Sequence, residues 1–457
     1  MSTRTRHGAL RYALRTGVTC LIMPNGAVLL NPPHNRKLTG LSTGARDALK
    51  LLNQGPAPLS RLDPEPGGEV AGLLSGLAGE GWLATTVLDA DRDLYTLDPF
   101  SAPPPRPAGP APAPGALSKF SILRPDTGGF VLEHPRSWCD LRITDPRILA
   151  VLGGQDATAA GLAPEILDQL AADLHWGGFT ADPARESGRF TTRSWSAPDL
   201  WFHRRSTLGP RTITWEHFGP TKWAKGQFPQ PDARKPAYPG TPIPLPVPDL
   251  TALRAADPSL TTVLEDRTSC RDYDDGAPIT LDQLAELLYR TARTREVKPV
   301  GPGEELLSRP YPSGGGVYEL EVYPVVRTAA GLDAGMYHYD SFRHALHRIA
   351  EPDSAEVHRL LKSASATLVG GAEPQVVLLL AARAGRVMWT YEQVAYASIL
   401  KHVGVLMQTV YLAGTAMGLG VCAQGFSDTA AFVAAAGVDE LEECGVGSIV
   451  VGTPARS

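Results

Sequence analysis

The spacing of apolar positions marks out most of the elements of this chain. GAVLLNPP (26–33) alternates as a strand does, and LSTGARDALKLLNQG (41–55) places its apolar residues on one helical face, with Ser42 or Thr43 as cap. LLSGLAGEGWL (73–83) predicts a short helix that ends in glycine and enters a strand. The same order returns in GGFVLEHP (128–135), TDPRILAVLGG (144–154) and LDQLAADLHWGGF (167–179). Farther on, a helix is expected to begin near Leu281 with Thr280 as its cap. VYELEVYPVV (317–326) alternates with Val317, Leu320, Val322 and Val325 available to a core. Residues 387–420 predict a long central helix, and the tail at 445–457 reads as a buried strand followed by a Gly-Thr-Pro turn.

Strand, helix, helix and a strand after glycine is the order of a small winged-helix unit, so two such units are expected. Two proline-rich stretches set the boundaries. PFSAPPPRPAGPAPAPG (99–115) has too little apolar surface to fold and predicts a semi-rigid spacer. Residues 226–249 form a second proline-rich connector, with enough large residues to pack on a neighbour. The expected pieces are 1–98, 116–225 and 250–457, and the 457 residues suit about three domains at ~150 residues each.

Composition narrows the function. The chain is 43% hydrophobic and 20% charged, as folded globular proteins are. A net charge of −5 gives no general attraction to nucleic acid or anionic membrane. Residues 1–98 hold ten Lys/Arg against nine Asp/Glu, too even a balance for a DNA reader. Peptide binding, by adding an extended strand to an exposed sheet edge, suits such a unit better. The five cysteines are scattered without C-x-x-C, which predicts a reduced cytoplasmic setting and neither a disulfide framework nor a zinc site. The N-terminus lacks the apolar core of a signal peptide. Residues 403–425 carry no charge, which raises a membrane span, but several glycines and Gln408 favour a helix buried against a partner subunit. Gly414 and Gly418 would let another backbone come close. His344 and His347 form H-x-x-H with no further ligand pair nearby, and a solvated helix face or loop is expected there.

Two segments carry candidate chemistry. In R-T-S-C-R (267–271) two guanidiniums flank a hydroxyl and could converge on one anion; pairing with Asp266, Asp272 and Asp274 explains the arginines equally well. Gly314, Gly315 and Gly316 precede a strand, whereas dinucleotide and P-loop glycines lie between a strand and a helix. The glycines are therefore either a hairpin turn or a close backbone approach to a flat ligand.

These segments, with Y-P-S-G-G-G-V-Y-E-L-E-V-Y (311–323), the G-x-x-x-Q-x-x-Y-L-A-x-x-A-x-G-L-G run (404–420) and V-V-G-T-P (450–454), resemble the SagB/ThcOx-type dehydrogenases of the FMN-dependent nitroreductase superfamily. DLWFHRRSTLG (199–209) resembles the segment these enzymes carry between peptide clamp and catalytic domain. The resemblance implies an α+β nitroreductase-like flavin domain, preceded by two winged-helix peptide-clamp domains, and working as a homodimer with FMN at the interface. It implies oxidation of thiazolines and oxazolines to thiazoles and oxazoles in a ribosomally made precursor peptide, with its leader and modified core bound and a cyclodehydratase as a further partner. By position, Arg267, Ser269 and Arg271 would hold the FMN phosphate and ribityl chain. Pro312, Ser313, Gly314 and Gly315 would line the isoalloxazine ring, Gln408 would touch FMN from the long helix, and Arg456 would add a phosphate contact.

Aromatising an azoline removes a Cα proton and a hydride, so a base is needed near the flavin face. Family members often carry a Lys-Tyr pair at the start of the long helix. Here that pair reads Thr390-Tyr391, which makes Tyr391 the catalytic candidate and leaves the lysine position to threonine. A tyrosine of pKa near 10 needs a neighbouring cation to act as a base at neutral pH. Lys401 is eleven residues on; along one helix that is about 16 Å from Thr390, too far to substitute. Other flavin chemistry on a modified peptide, such as dehydroamino-acid reduction, and a peptide-binding subunit without turnover remain the alternatives.

Overall fold

The computed structural model describes residues 9–64, 68–155 and 160–455. It divides into two compact units, Met1–Thr214 and Trp215–Ser457.

In the first unit the strands are β1 (Ala9–Leu14), β2 (Thr19–Met23), β3 (Gly26–Asn31), β4 (His34–Thr39), β5 (Ala57–Pro58), β6 (Leu83–Asp89), β7 (Arg92–Pro99), β8 (Ile122–Asp126), β9 (Gly129–Glu133) and β10 (Cys139–Ile143). β2, β3 and β4 form a small sheet of their own. The helices Thr43–Gln54, Glu69–Gly79, Pro146–Leu152 and Pro164–Gly177 lie where the apolar spacing puts them. Ser42 accepts from the Ala45 N–H and caps the first of these.

The two small winged-helix units expected here are joined through one sheet. β7 pairs antiparallel with β10 from Pro99↔Cys139 to Tyr95↔Ile143, so one seven-stranded sheet runs β5-β1-β6-β7-β10-β9-β8 through both halves. A sheet edge left open in each half is satisfied by the other, which removes two exposed ladders at once. One apolar core follows, joining Leu49, Leu74 and Tyr95 to Leu141, Ile148 and Leu170. The proline-rich segment is held at its start. The Phe100 and Ser101 N–H groups donate to Trp138 O, Trp176 Nε1 donates to Pro104 O (2.8 Å), and Arg106 lies 3.9 Å over the Trp176 ring.

The second unit begins at Trp215, within the segment 116–225 expected to belong to the preceding domain. Its main sheet has the order β11-β16-β15-β14-β17-β19-β18. Its members are β11 (Ile243–Pro244), β14 (Leu320–Val326), β15 (Gly335–Asp340), β16 (Ala345–Ala350), β17 (Val376–Ala382), β18 (Gly420–Gln424) and β19 (Cys444–Gly452); β12 (Glu296–Gly301) and β13 (Glu304–Ser308) make a separate hairpin. Every residue of β14, β15 and β17 is buried. Leu320, Val322, Leu378 and Leu380 face the helices Leu281–Ala292 and Ala395–Ala416, while Tyr323, Val325, Val377 and Leu379 face Ala355–Ser365 and Thr429–Ala436. A sheet covered on both faces explains why the apolar runs are nearly continuous.

Three local expectations are corrected. The helix over 387–420 is two helices, Ala384–Thr390 and Ala395–Ala416, because Tyr391 takes an extended conformation (φ −125°, ψ 146°). Thr390 and Lys401 therefore do not share a helix. Gly414 admits this chain's own β18, since a Cβ there would overlap Val421 Cγ2, and Gly418 closes the helix at φ +70°. His344 and His347 are buried: His344 is in the turn between β15 and β16, bonded to Tyr339 and Pro246 O, and His347 is on β16. No described helix is long and apolar enough to cross a membrane; the charge-free run leaves its helix at Ala416 and continues as β18.

Candidate active site

The three glycines open a short 3-10 turn, Gly314–Gly316, directly before β14. Gly315 and Gly316 have φ of +63° and +67°, a region that side chains disfavour. Ser313 Oγ accepts from the Tyr318 N–H (3.1 Å) and closes the turn. The Gly314 N–H donates to His402 Nε2 (2.7 Å), and His402 Nδ1 lies 2.8 Å from Glu319 Oε1. A Cβ at Gly314 would meet His402 Nε2 at 3.3 Å and Tyr391 Cε2 at 3.7 Å; one at Gly315 would meet the Tyr391 hydroxyl at 2.8 Å. Bare backbone is thus required where the loop faces Tyr391.

The break between the two helices brings Tyr391 to this loop. Its register is set by the segment after Trp215, where Pro220 bridges to Tyr391 and the Thr221 N–H donates to Thr390 O (3.1 Å). Thr221 Oγ1 donates to Met388 O, and the Glu392 N–H donates to Gly219 O. Trp215, half exposed, packs edge-on to the Tyr391 ring at 6.4 Å. Gly219 leaves room for that indole, since a Cβ there would lie 2.5 Å from it. Thr390 Oγ1 donates to Arg386 O, so the threonine turns back to its own helix.

The R-T-S-C-R segment gathers at the other end of the helix Ala395–Ala416. Ser269 Oγ lies 2.9 Å from the Tyr411 hydroxyl, which also accepts from the Ala423 N–H of β18. The Arg267 guanidinium sits 5.2 Å above the Tyr411 ring. Arg271 is exposed, and its guanidinium donates to Ser269 O at 3.4 Å. Among the described residues neither arginine pairs with a carboxylate, although Asp266 and Asp272 adjoin them in sequence. The C-terminal segment passes alongside, with the Ala455 N–H donating to Asp272 O.

One helix therefore joins two kinds of contact. His402 holds the glycine loop, and Tyr411, nine residues and about 14 Å on, holds the arginine loop. A cradle without side chains and two guanidiniums with no carboxylate partner among the described residues fit a flat cofactor with an anionic tail. Of the residues singled out in the sequence, Tyr391, Gly314 and Gly315 meet, with Ser313 bracing their turn. Arg267 and Ser269 meet at Tyr411. Pro312 and Gln408 are exposed, Gln408 one turn before Tyr411 on the long helix. Arg456 lies outside the described residues. Sequence reasoning missed Glu319, His402, Tyr411 and Trp215. The available signal was a histidine heading a charge-free helical run and a glutamate inside an apolar strand pattern.

A nitroreductase-family model matches residues 264–453, and a model of the cyanobactin oxidase ThcOx matches residues 115–212. A nitroreductase-family protein of Methanocaldococcus jannaschii is 30% identical over 179 residues, 39% of this chain and 82% of that one. Among solved structures, a Ralstonia eutropha nitroreductase is 24% identical with a TM-score of 0.38, covering 52% of this chain and 99% of that one. The Escherichia coli microcin synthetase McbBCD complex with truncated pro-MccB17 bound is 18% identical with a TM-score of 0.35, covering 49% of this chain and 77% of that one. On the identity and coverage of the archaeal relative, with the nitroreductase model over residues 264–453, the chain belongs to the nitroreductase family.

Proposed function

We propose that the protein is an FMN-dependent dehydrogenase that converts thiazolines or oxazolines to thiazoles or oxazoles in a ribosomally made, modified peptide. One conjunction carries the reading: a ThcOx match in the first unit stands in the same chain as a nitroreductase match whose glycine loop faces Tyr391. Bound FMN would supply a two-electron acceptor for the hydride that leaves the ring. Gly314 and Gly315 would let the isoalloxazine lie against bare backbone, with Ser313 and Pro312 beside it. Arg267 and Arg271 would meet the phosphate, with Ser269 and Gln408 toward the ribityl chain and Arg456 beyond.

Tyr391 would act as the base at that face. Its hydroxyl lies over Gly315, and its ring is held between the loop and Trp215. With Tyr391 held as tyrosinate by a cation from a partner copy, the Cα proton of the azoline would pass to this oxygen while the β-hydrogen leaves as hydride, so each ring loses two hydrogens. The first unit would hold the precursor peptide through its two winged-helix-like halves, a cyclodehydratase would supply the azolines, and two copies of the flavin unit would pair.

The deciding experiment is a mass assay. Yellow protein incubated with an azoline peptide should yield a loss of about two hydrogens per ring, about 2 Da. A gain of about two hydrogens on a dehydrated peptide, with reduced flavin, would replace this reading by the reductase one. Tyr391→Phe should lower turnover by roughly 10²–10⁴-fold, the range for a general base, with FMN retained. Unchanged turnover would remove Tyr391 as the base.

A further inference from the structure

Three consecutive glycines make a poor platform. Glycine loses more conformational freedom on ordering than any other residue, so a loop of them needs an external restraint to hold one shape. The structure shows one restraint of unusual quality. The Gly314 N–H ends on His402 Nε2 at 2.7 Å, and the other ring nitrogen rests on Glu319 at 2.8 Å. Glu319 is fully buried, with Oε2 unpartnered among the described residues, and His402 is 7% exposed.

The chemistry of these atoms assigns the protons. A backbone N–H can only donate, so Nε2 must present its lone pair. The imidazole proton is then on Nδ1 and is donated to the Glu319 carboxylate, which accepts only. We infer that Glu319 and His402 are positioning residues: the carboxylate fixes the imidazole tautomer, and that tautomer holds the glycine loop in the shape that receives the cofactor ring. This rests on the flavin reading for the ring's identity, while the restraint on the loop stands on the geometry alone. It also separates His402 from Tyr391, since Nε2 is occupied by the loop amide and Tyr391 remains the group facing the ring site.

His402→Gln retains an acceptor near the Nε2 position; His402→Phe fills the space without one. Glu319→Gln replaces an obligate acceptor by an amide that can donate to Nδ1 as well as accept from it, so the proton is no longer confined to Nδ1 and Nε2 can carry it against the Gly314 N–H. Amide hydrogen exchange of the peptide spanning 310–318, in FMN-free protein, and the FMN dissociation constant read the two consequences. His402→Phe and Glu319→Gln should each speed exchange in that peptide and raise the dissociation constant tenfold or more. His402→Gln should stay within about threefold of the parent in both. Exchange left unchanged by His402→Phe and Glu319→Gln overturns the inference. An equal loss in the His402→Gln and His402→Phe proteins does so too, since packing alone would then account for the loop. A parent protein that takes up no FMN would defeat the flavin reading, and the exchange comparison would still decide whether the dyad restrains the loop.

Discussion

At Gly315 the backbone stands at φ +63°, and a Cβ would fall 2.8 Å from the Tyr391 hydroxyl. An alanine there meets two penalties: a left-handed backbone worth roughly 1–2 kcal/mol and displacement of the tyrosine. Gly315→Ala should lower the denaturant midpoint of the second unit and weaken FMN binding together; an unaltered midpoint would show that the turn relaxes freely. His134 offers a residue-scale test in the first unit. Its Nδ1 accepts from the Arg136 N–H, and burial pushes the imidazole down to about 4. The unfolded chain, with an ordinary histidine near 6.5, binds the proton more readily between those values. Stability should therefore rise with pH through that window, and acidification from about 6.5 toward 4 should remove up to about 3 kcal/mol. His134→Gln should flatten that part of a melting-temperature profile; a slope equal to the parent's would place the effect elsewhere.

Among the elements, the helix Leu281–Ala292 shows how sequence and packing cooperate. Thr280 and Gln283 form a reciprocal capping box, and Leu284, Leu287 and Leu288 are buried against the sheet. Thr280→Ala should lower stability by about 1 kcal/mol, as a shift in urea midpoint with unchanged slope. A changed slope would mean that the helix opens separately from its unit. This helix was legible because its cap and its apolar stripe are both local. The long helix over 387–420 was legible as a helix but not as two. Its interruption depends on Gly219, Pro220 and Thr221, some 170 residues earlier, which bond to Thr390–Glu392. β14 was legible as a strand with apolar positions for a core, but the burial of Glu319, just before it, and of Glu321, within it, was not. Both are buried, because helices cover the two faces of the sheet, and each glutamate meets a histidine.

For the molecule as a whole, the boundary between units matters more than the proline-rich segment within the first. Residues 1–98 contribute four of the seven strands of one sheet, so their removal would strip β10 of β7, leaving β9 as its one neighbour, and open the core at Leu141 and Ile148. Truncation at 98 should leave a first unit that is unfolded by circular dichroism and proteolysis. Truncation at 214 should leave 215–457 folded and able to bind FMN, with peptide affinity lost. A folded 99–457 product, or an unfolded 215–457 product, would contradict the division seen here.

The sequence by itself determined the helices with local caps, the strands with apolar runs, the glycine loop placed ahead of a strand and the arginines around Ser269. Each of these is a matter of nearest neighbours along the chain: cap geometry, side-chain period and the conformations open to glycine. Only the tertiary structure decided that the two N-terminal halves share one sheet, that Tyr391 leaves the helix to stand over Gly315, and that Glu319 and His402 hold Gly314. Those contacts join residues about 40 to 90 positions apart, and they form because buried edges, amides and carboxylates must find partners wherever the fold brings them.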